Sequence, residues 1–175
     1  MQLESFRKIL GVRVFQSPGV VSTAPVTGVS SSPLSSKLTL GAGKADGVLN
    51  YMPILVPSGL VGIVTDTSEN SATVRTILDP LSRVGITVKD KGGQGIAIGQ
   101  SDGRIRVIEY FEDEKIAIGD TVETQSRGGL FPRGILVGEV ISILPKDPNK
   151  LTIEFLVKPA ADIPNLIEVS LIKPL

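Results

Sequence analysis

Three residue types are missing from the 175 positions: histidine, cysteine and tryptophan. Without histidine, the usual general base, the usual zinc ligand and the Ser-His-Asp or Cys-His nucleophile systems all fall away. Without cysteine there is neither a disulfide nor a thiolate zinc site, and the redox compartment cannot be read. Aromatic residues make up only 4%, too few for a base-stacking platform. Neither sign of charge is in excess: 18 basic and 18 acidic residues cancel, so the chain lacks the positive field of a nucleic-acid binder. Long apolar runs are missing too, none approaching the roughly 18 residues of a membrane helix. The start, MQLESFRKILGVRV, has neither the apolar core nor the small-residue cleavage site of a signal peptide.

What the chain does have is Val, Ile and Leu in short runs, punctuated throughout by 19 glycines and 12 prolines. Leu3, Phe6, Ile9 and Leu10 fall at helical spacing before Gly11 interrupts them, which predicts a short helical stub. From Val12 onward the period changes to two. Val84, Ile86 and Val88 alternate with Arg83, Gly85, Thr87 and Lys89, and Leu151, Ile153, Phe155 and Val157 alternate with Thr152, Glu154, Leu156 and Lys158. That pattern predicts strands with one buried face. Further strands are expected at 19–24, 37–41, 53–57, 60–65, 72–78, 95–99, 104–111, 121–125, 135–143 and 167–172. The segment 17–33, SPGVVSTAPVTGVSSSP, is the most loop-like, although its Val pairs could still contribute a strand, and DPNK at 147–150 reads as a turn. Many short strands with dense turn signals mean an all-β sandwich or barrel. GLVGIV at 59–64 echoes ILVGEV at 135–140, which suggests two similar β units.

Motifs that would carry chemistry are weak. Glu109, Glu112, Asp113 and Glu114 form a dense acidic group without the ligand spacing of a calcium loop, and read as a solvated loop. Ser5 and Lys8 make an isolated S-x-x-K without its S-D-N and K-T-G companions. Arg104 and Arg106 share one strand face and suit either an acidic partner or plain solvation. In GAGK at 41–44 the lysine is followed by Ala45, position 38 is Leu and no helix pattern follows, so a phosphate loop is not expected. Gly41, Gly43, Asp46 and Gly47 instead suit a turn, as do Gly59, Gly62, Gly119 and Asp120.

Read in order, K-A-D-G-V (44–48), M-P-I-L-V (52–56), G-L-V-G-I-V (59–64), T-I-L-D-P-L-S-R-V (76–84), G-D-T-V-E-T (119–124), G-G-L-F-P-R-G-I-L-V-G-E-V (128–140) and V-K-P-A-A-D-I-P-N-L (157–166) resemble the rod shape-determining MreC family. F-R-K-I-L-G at 6–11 is similar to the run that closes that family's coiled coil. Thr124, Gln125 and Ser126 stand where the family commonly reads T-S-G. The resemblance implies an all-β fold of two small β-barrels: a coiled-coil remnant at 1–11, a first, discontinuous barrel from 17–66 and 137–173, and a second from 67–136.

It also implies a scaffold of the bacterial cell elongation machinery that organises lateral peptidoglycan synthesis, with no catalysis and no cofactor. The implied partners are MreB, MreD, RodZ, the elongation-specific penicillin-binding transpeptidase and further copies of the chain. The implied location is the extracytoplasmic face of the inner membrane, anchored by an upstream helix. Recognition is then expected through exposed loops: Asn50, Tyr51 and Met52, with Gly128, Gly129, Leu130, Phe131 and Pro132. Phe131 is either an exposed anchor or a plug that closes a barrel end. Two other classes stand beside the scaffold: a β-barrel hydrolase relative without evident catalytic residues, and a glycan-binding β module using Tyr51, Tyr110 and Phe111.

Overall fold

The computed structural model describes residues 20–125 and 130–174; the helical stub, Ser5, Lys8, Ser126, Gly128 and Gly129 lie outside them. Among the described residues the strands are β1 (Val20–Ser32), β2 (Ser35–Leu40), β3 (Pro53–Val56), β4 (Gly59–Thr67), β5 (Ala72–Thr76) and β6 (Arg83–Val88). Then follow β7 (Gln94–Gly99), β8 (Ile105–Phe111), β9 (Thr121–Thr124), β10 (Leu136–Ile143), β11 (Ile153–Pro159) and β12 (Glu168–Ile172). They close into two antiparallel barrels, in the order β1-β12-β3-β4-β5-β2 and β10-β11-β8-β7-β6-β9. Closure leaves neither barrel with an open sheet edge to protect.

The division differs from the expected one. β10 and β11 pair with β9 and β8, so 137–159 belongs to the second barrel, and β5 pairs with β2 and β4 in the first. Only β12 returns to the first barrel, between β1 and β3. Period-two alternation marks a strand and its buried face; it does not say which distant strand supplies the hydrogen bonds.

Alternation delivers the second barrel's core. Val84, Ile86 and Val88 of β6 are buried, as are Ile153, Phe155 and Val157 of β11. β7 inverts the expected sizes, turning Gly95 and Ala97 inward while Ile96 and Ile98 are half-buried on the outside. The reason is Tyr110. Its ring fills the barrel edge-on to Phe155, with centroids 5.1 Å apart, and a Cβ at Gly93 would lie 2.2 Å from its hydroxyl. Small residues facing a large one keep the interior at normal packing density.

In the first barrel, β3 and residues 59–64 of β4 are buried on both faces. A continuous apolar run is what double burial requires, and for β4 the outer face lies against the second barrel. β4 and β10 approach each other there, and a Cβ at Gly59 would stand 2.8 Å from the Leu136 carbonyl oxygen. The buried apolar residues of both barrels form one continuous cluster.

The segment 17–33 is mostly strand: β1 pairs with β12 through its first half and with β2 through its second. Register shifts at Val20/Ser22 and Val26/Gly28 let one long strand serve both neighbours.

Candidate partner-contact site

The turn before β3 is built in steps. Asp46 Oδ2 accepts the Gly43 N–H at 3.0 Å, and Gly47 takes a left-handed φ of 84°, which turns the chain so that Val48 plugs into the core. Leu49 to Met52 then close a second turn: the Met52 N–H donates to the Leu49 carbonyl at 3.4 Å, and the Tyr51 N–H donates to the Val64 carbonyl of β4 at 2.7 Å. Tyr51 sits at φ 69°, a left-handed conformation that costs a non-glycine residue on the order of 1 kcal/mol or more. The turn is fixed below by Met52, 3% exposed, and at its side by Thr67, whose hydroxyl donates to Asn50 Oδ1 at 3.2 Å. What it presents is apolar: Leu49 and Tyr51 are each 56% exposed.

The expected contact residues therefore separate. Asn50 and Tyr51 are on the surface; Met52 is not, and supports them from the core. The second group is in the other barrel. Leu130 is about half exposed, but Phe131 is 4% exposed and packs into the core, so the exposed-anchor reading of Phe131 is corrected to a barrel plug. Thr124 holds that loop, its hydroxyl donating to the half-buried Pro132 carbonyl at 2.6 Å and accepting the Ile135 N–H at 2.9 Å. The hydrogen bonds of the first group run to β4, those of the second to β9 and the start of β10. Leu49 was missed by sequence reading because a leucine in a β-rich chain looks like core.

The N–H groups at the GAGK turn that a phosphate would need are engaged within the fold. Lys44 and Ala45 donate their N–H groups to the Ser68 and Glu69 carbonyls, and the Gly43 N–H is held by Asp46. Gly43 is required by close approach, since a Cβ there would lie 2.3 Å from the Ser68 carbonyl oxygen. Gly62 is no turn residue: it lies inside β4, where a Cβ would meet the Arg75 carbonyl oxygen at 2.1 Å. Gly119, at φ 96°, and Asp120, whose carboxylate accepts the Ala117 N–H at 2.8 Å, do form a turn.

Both arginines singled out in the sequence are paired within the chain. Arg104 pairs with Asp102, whose carboxyl is held below the usual carboxylate range by that hydrogen bond, and Arg106 pairs with Glu154. Glu112 accepts the Ile116 N–H at 3.1 Å, and the described residues contain no group of three metal-ligating side chains. Tyr110 is fully buried and cannot stack on a sugar. A surface hollow of 340 Å³ beside the β10–β11 connection is lined by Arg106, Lys146, Lys150 and Glu154 and contains no aromatic residue.

Comparison with known proteins agrees with this geometry. The model of the rod shape-determining protein MreC barrel core matches residues 26–173. The cell shape-determining protein MreC of Listeria monocytogenes is 33% identical over 144 residues, covering 79% of this chain and 48% of the relative. That of Streptococcus pneumoniae is 31% identical over 152 residues, covering 82% and 56%. The chain thus spans about half the length of the curated relatives it matches. Among solved structures, the Listeria protein superimposes with a TM-score of 0.78 at 32% identity, covering 87% of this chain and 74% of the other. The MreC in a complex with the penicillin-binding protein PBP2 from Helicobacter pylori has a TM-score of 0.64 at 18% identity, covering 87% and 98%, a likeness of fold. With paired closed barrels, a family-model match over nearly all the described residues and relatives at about one-third identity, this chain belongs to the MreC family of rod shape-determining proteins.

Proposed function

We propose that this chain is a non-catalytic, extracytoplasmic scaffold module of the machinery that elongates the bacterial wall, and that it docks an elongation-specific penicillin-binding transpeptidase through the Leu49–Tyr51 turn. The observation that carries the docking reading is an exposed apolar pair on a turn that is strained at Tyr51 and braced from below by Met52. A strained residue held by packed neighbours presents its side chain with little ordering entropy left to lose. A tyrosine so held is a suitable interface anchor. The partner class follows from the Helicobacter relative, which is seen in complex with a penicillin-binding protein. The non-catalytic reading is supported by the lack of histidine and cysteine and by carboxylates engaged in turns and ion pairs.

Within the same proposal the module works at the outer face of the inner membrane behind an upstream anchor. MreB, MreD and RodZ join the assembly through the rest of the protein, and copies associate with one another. The periplasmic domain structures among the relatives support that side of the membrane. Co-purification from cross-linked cells tests the docking surface. Full-length protein with Tyr51→Asp loses the transpeptidase while retaining its fold; undiminished capture by the folded variant contradicts the assignment. Turnover of any peptide or glycan substrate by the pure chain contradicts the non-catalytic reading.

A further inference from the structure

The chain leaves the first barrel at Thr76 and enters the second at Arg83, and the six residues between them contain a buried carboxylate that neither the fold core nor the contact site uses. Asp79 is 1% exposed. Its Oδ2 accepts the N–H of Ser36, in β2 of the first barrel, at 2.8 Å, and its Oδ1 accepts the N–H of Leu81, in the connection itself, at 2.8 Å. Next to it, the Ser36 and Thr76 hydroxyls share a hydrogen bond of 2.6 Å, and the Asp79 carbonyl accepts the Ser82 N–H at 2.9 Å.

The second barrel grips the same few atoms from the other side. Gly99 ends β7, and a Cβ there would lie 2.1 Å from the Leu78 carbonyl carbon and 2.5 Å from the Asp79 carbonyl oxygen. The connection is therefore clamped, by a carboxylate pin on the first barrel and by bare backbone contact on the second. A charged acceptor makes stronger hydrogen bonds to backbone N–H groups than a neutral one, and a buried donor that loses its partner carries the full desolvation cost. A surface turn needs none of this.

We infer that Asp79 and Gly99 form a fixed joint that sets the angle between the two barrels. This goes beyond the docking surface, which lies wholly in the first barrel. Holding the barrels at one angle gives the molecule a single composite face, and releasing Asp79 lets the second barrel swing about its other connection, 160–167.

The absence of native cysteine makes the test clean. Spin labels on Lys44→Cys and Lys146→Cys, one exposed position in each barrel, report the inter-barrel distance in the intact chain. The expected result is one narrow distribution for the parent and a broadened one for Asp79→Ala. Asp79→Asn, of equal size but with a single acceptor oxygen, falls between them. Amide exchange at Ser36 and Leu81 rises by about tenfold or more in Asp79→Ala, as expected when a charge-assisted hydrogen bond is lost, while core amides of each barrel keep their protection. Distance distributions that superimpose in folded Asp79→Ala, or unaltered exchange at Ser36 and Leu81, overturn the joint. Loss of protection throughout both barrels in Asp79→Asn also overturns it, because it makes Asp79 a general core element.

Discussion

At the scale of single residues, two tyrosines and one phenylalanine carry opposite expectations. Tyr51 holds a left-handed backbone that glycine adopts freely. Tyr51→Gly should therefore leave stability unchanged or raise it by up to about 1 kcal/mol in a denaturant titration, while removing the anchor from the docking surface. A variant that is both more stable and non-binding is the signature of strain kept for function. Tyr110 is buried with its hydroxyl beside the backbone of Val88 and Gly93, and without a partner in hydrogen-bonding geometry. Burial, and then the Glu112 carboxylate, push that hydroxyl up to about 12. A phenol whose folded value is raised favours the protonated fold, so its contribution is complete below the ordinary value near 10 and is lost as pH rises through about 12. Tyrosinate absorbance in a Tyr51→Phe background, where Tyr110 is the remaining tyrosine, should show this late titration, and its disappearance in Tyr110→Phe identifies the group. Phe131→Ala should cost about 3–5 kcal/mol through the cavity it leaves, a loss measurable by thermal unfolding and inconsistent with a surface anchor.

At the scale of elements, the two barrels repeat one device. Gly62 in β4 and Gly138 in β10 each let a neighbouring strand approach so closely that a Cβ would lie 2.1 Å from a backbone oxygen, of Arg75 in one case and Lys158 in the other. The echo between GLVGIV and ILVGEV is thus a repeated backbone contact. Gly62→Ala and Gly138→Ala should each destabilise by about 2–3 kcal/mol in denaturant unfolding, since backbone cannot move aside as a side-chain tip can. Gly47→Ala meets no atom within 4 Å, and its cost comes from its left-handed backbone alone.

The strands were legible because their apolar alternation or their short apolar runs are local properties. β1 is legible as strand only at 19–24, because Pro25, Gly28 and the serines beyond resemble turn residues; tertiary pairing with β12 and β2 overrides that local preference. The partition of strands between barrels is illegible for a related reason, and so is the choice between the two readings of Phe131, anchor or plug. Both depend on partners far away in sequence, which periodicity does not encode. Asp79 was likewise hidden, since D-P-L reads as an ordinary turn until Ser36 is seen to donate to it.

At the scale of the whole molecule, the paired barrels share an apolar cluster, and what they offer a partner is surface. The proposed docking asks that one small apolar projection, Leu49 with Tyr51, anchor the transpeptidase, and that the plug at Phe131 serve stability. Calorimetric titration of this chain with the extracytoplasmic part of that transpeptidase from the same cell is the most direct test. Tyr51→Asp should weaken the affinity by about 30-fold or more, roughly 2 kcal/mol, with the unfolding temperature unchanged, as for an anchor at an interface centre. Equal affinities for the parent chain and a fully folded Tyr51→Asp variant contradict docking through this turn.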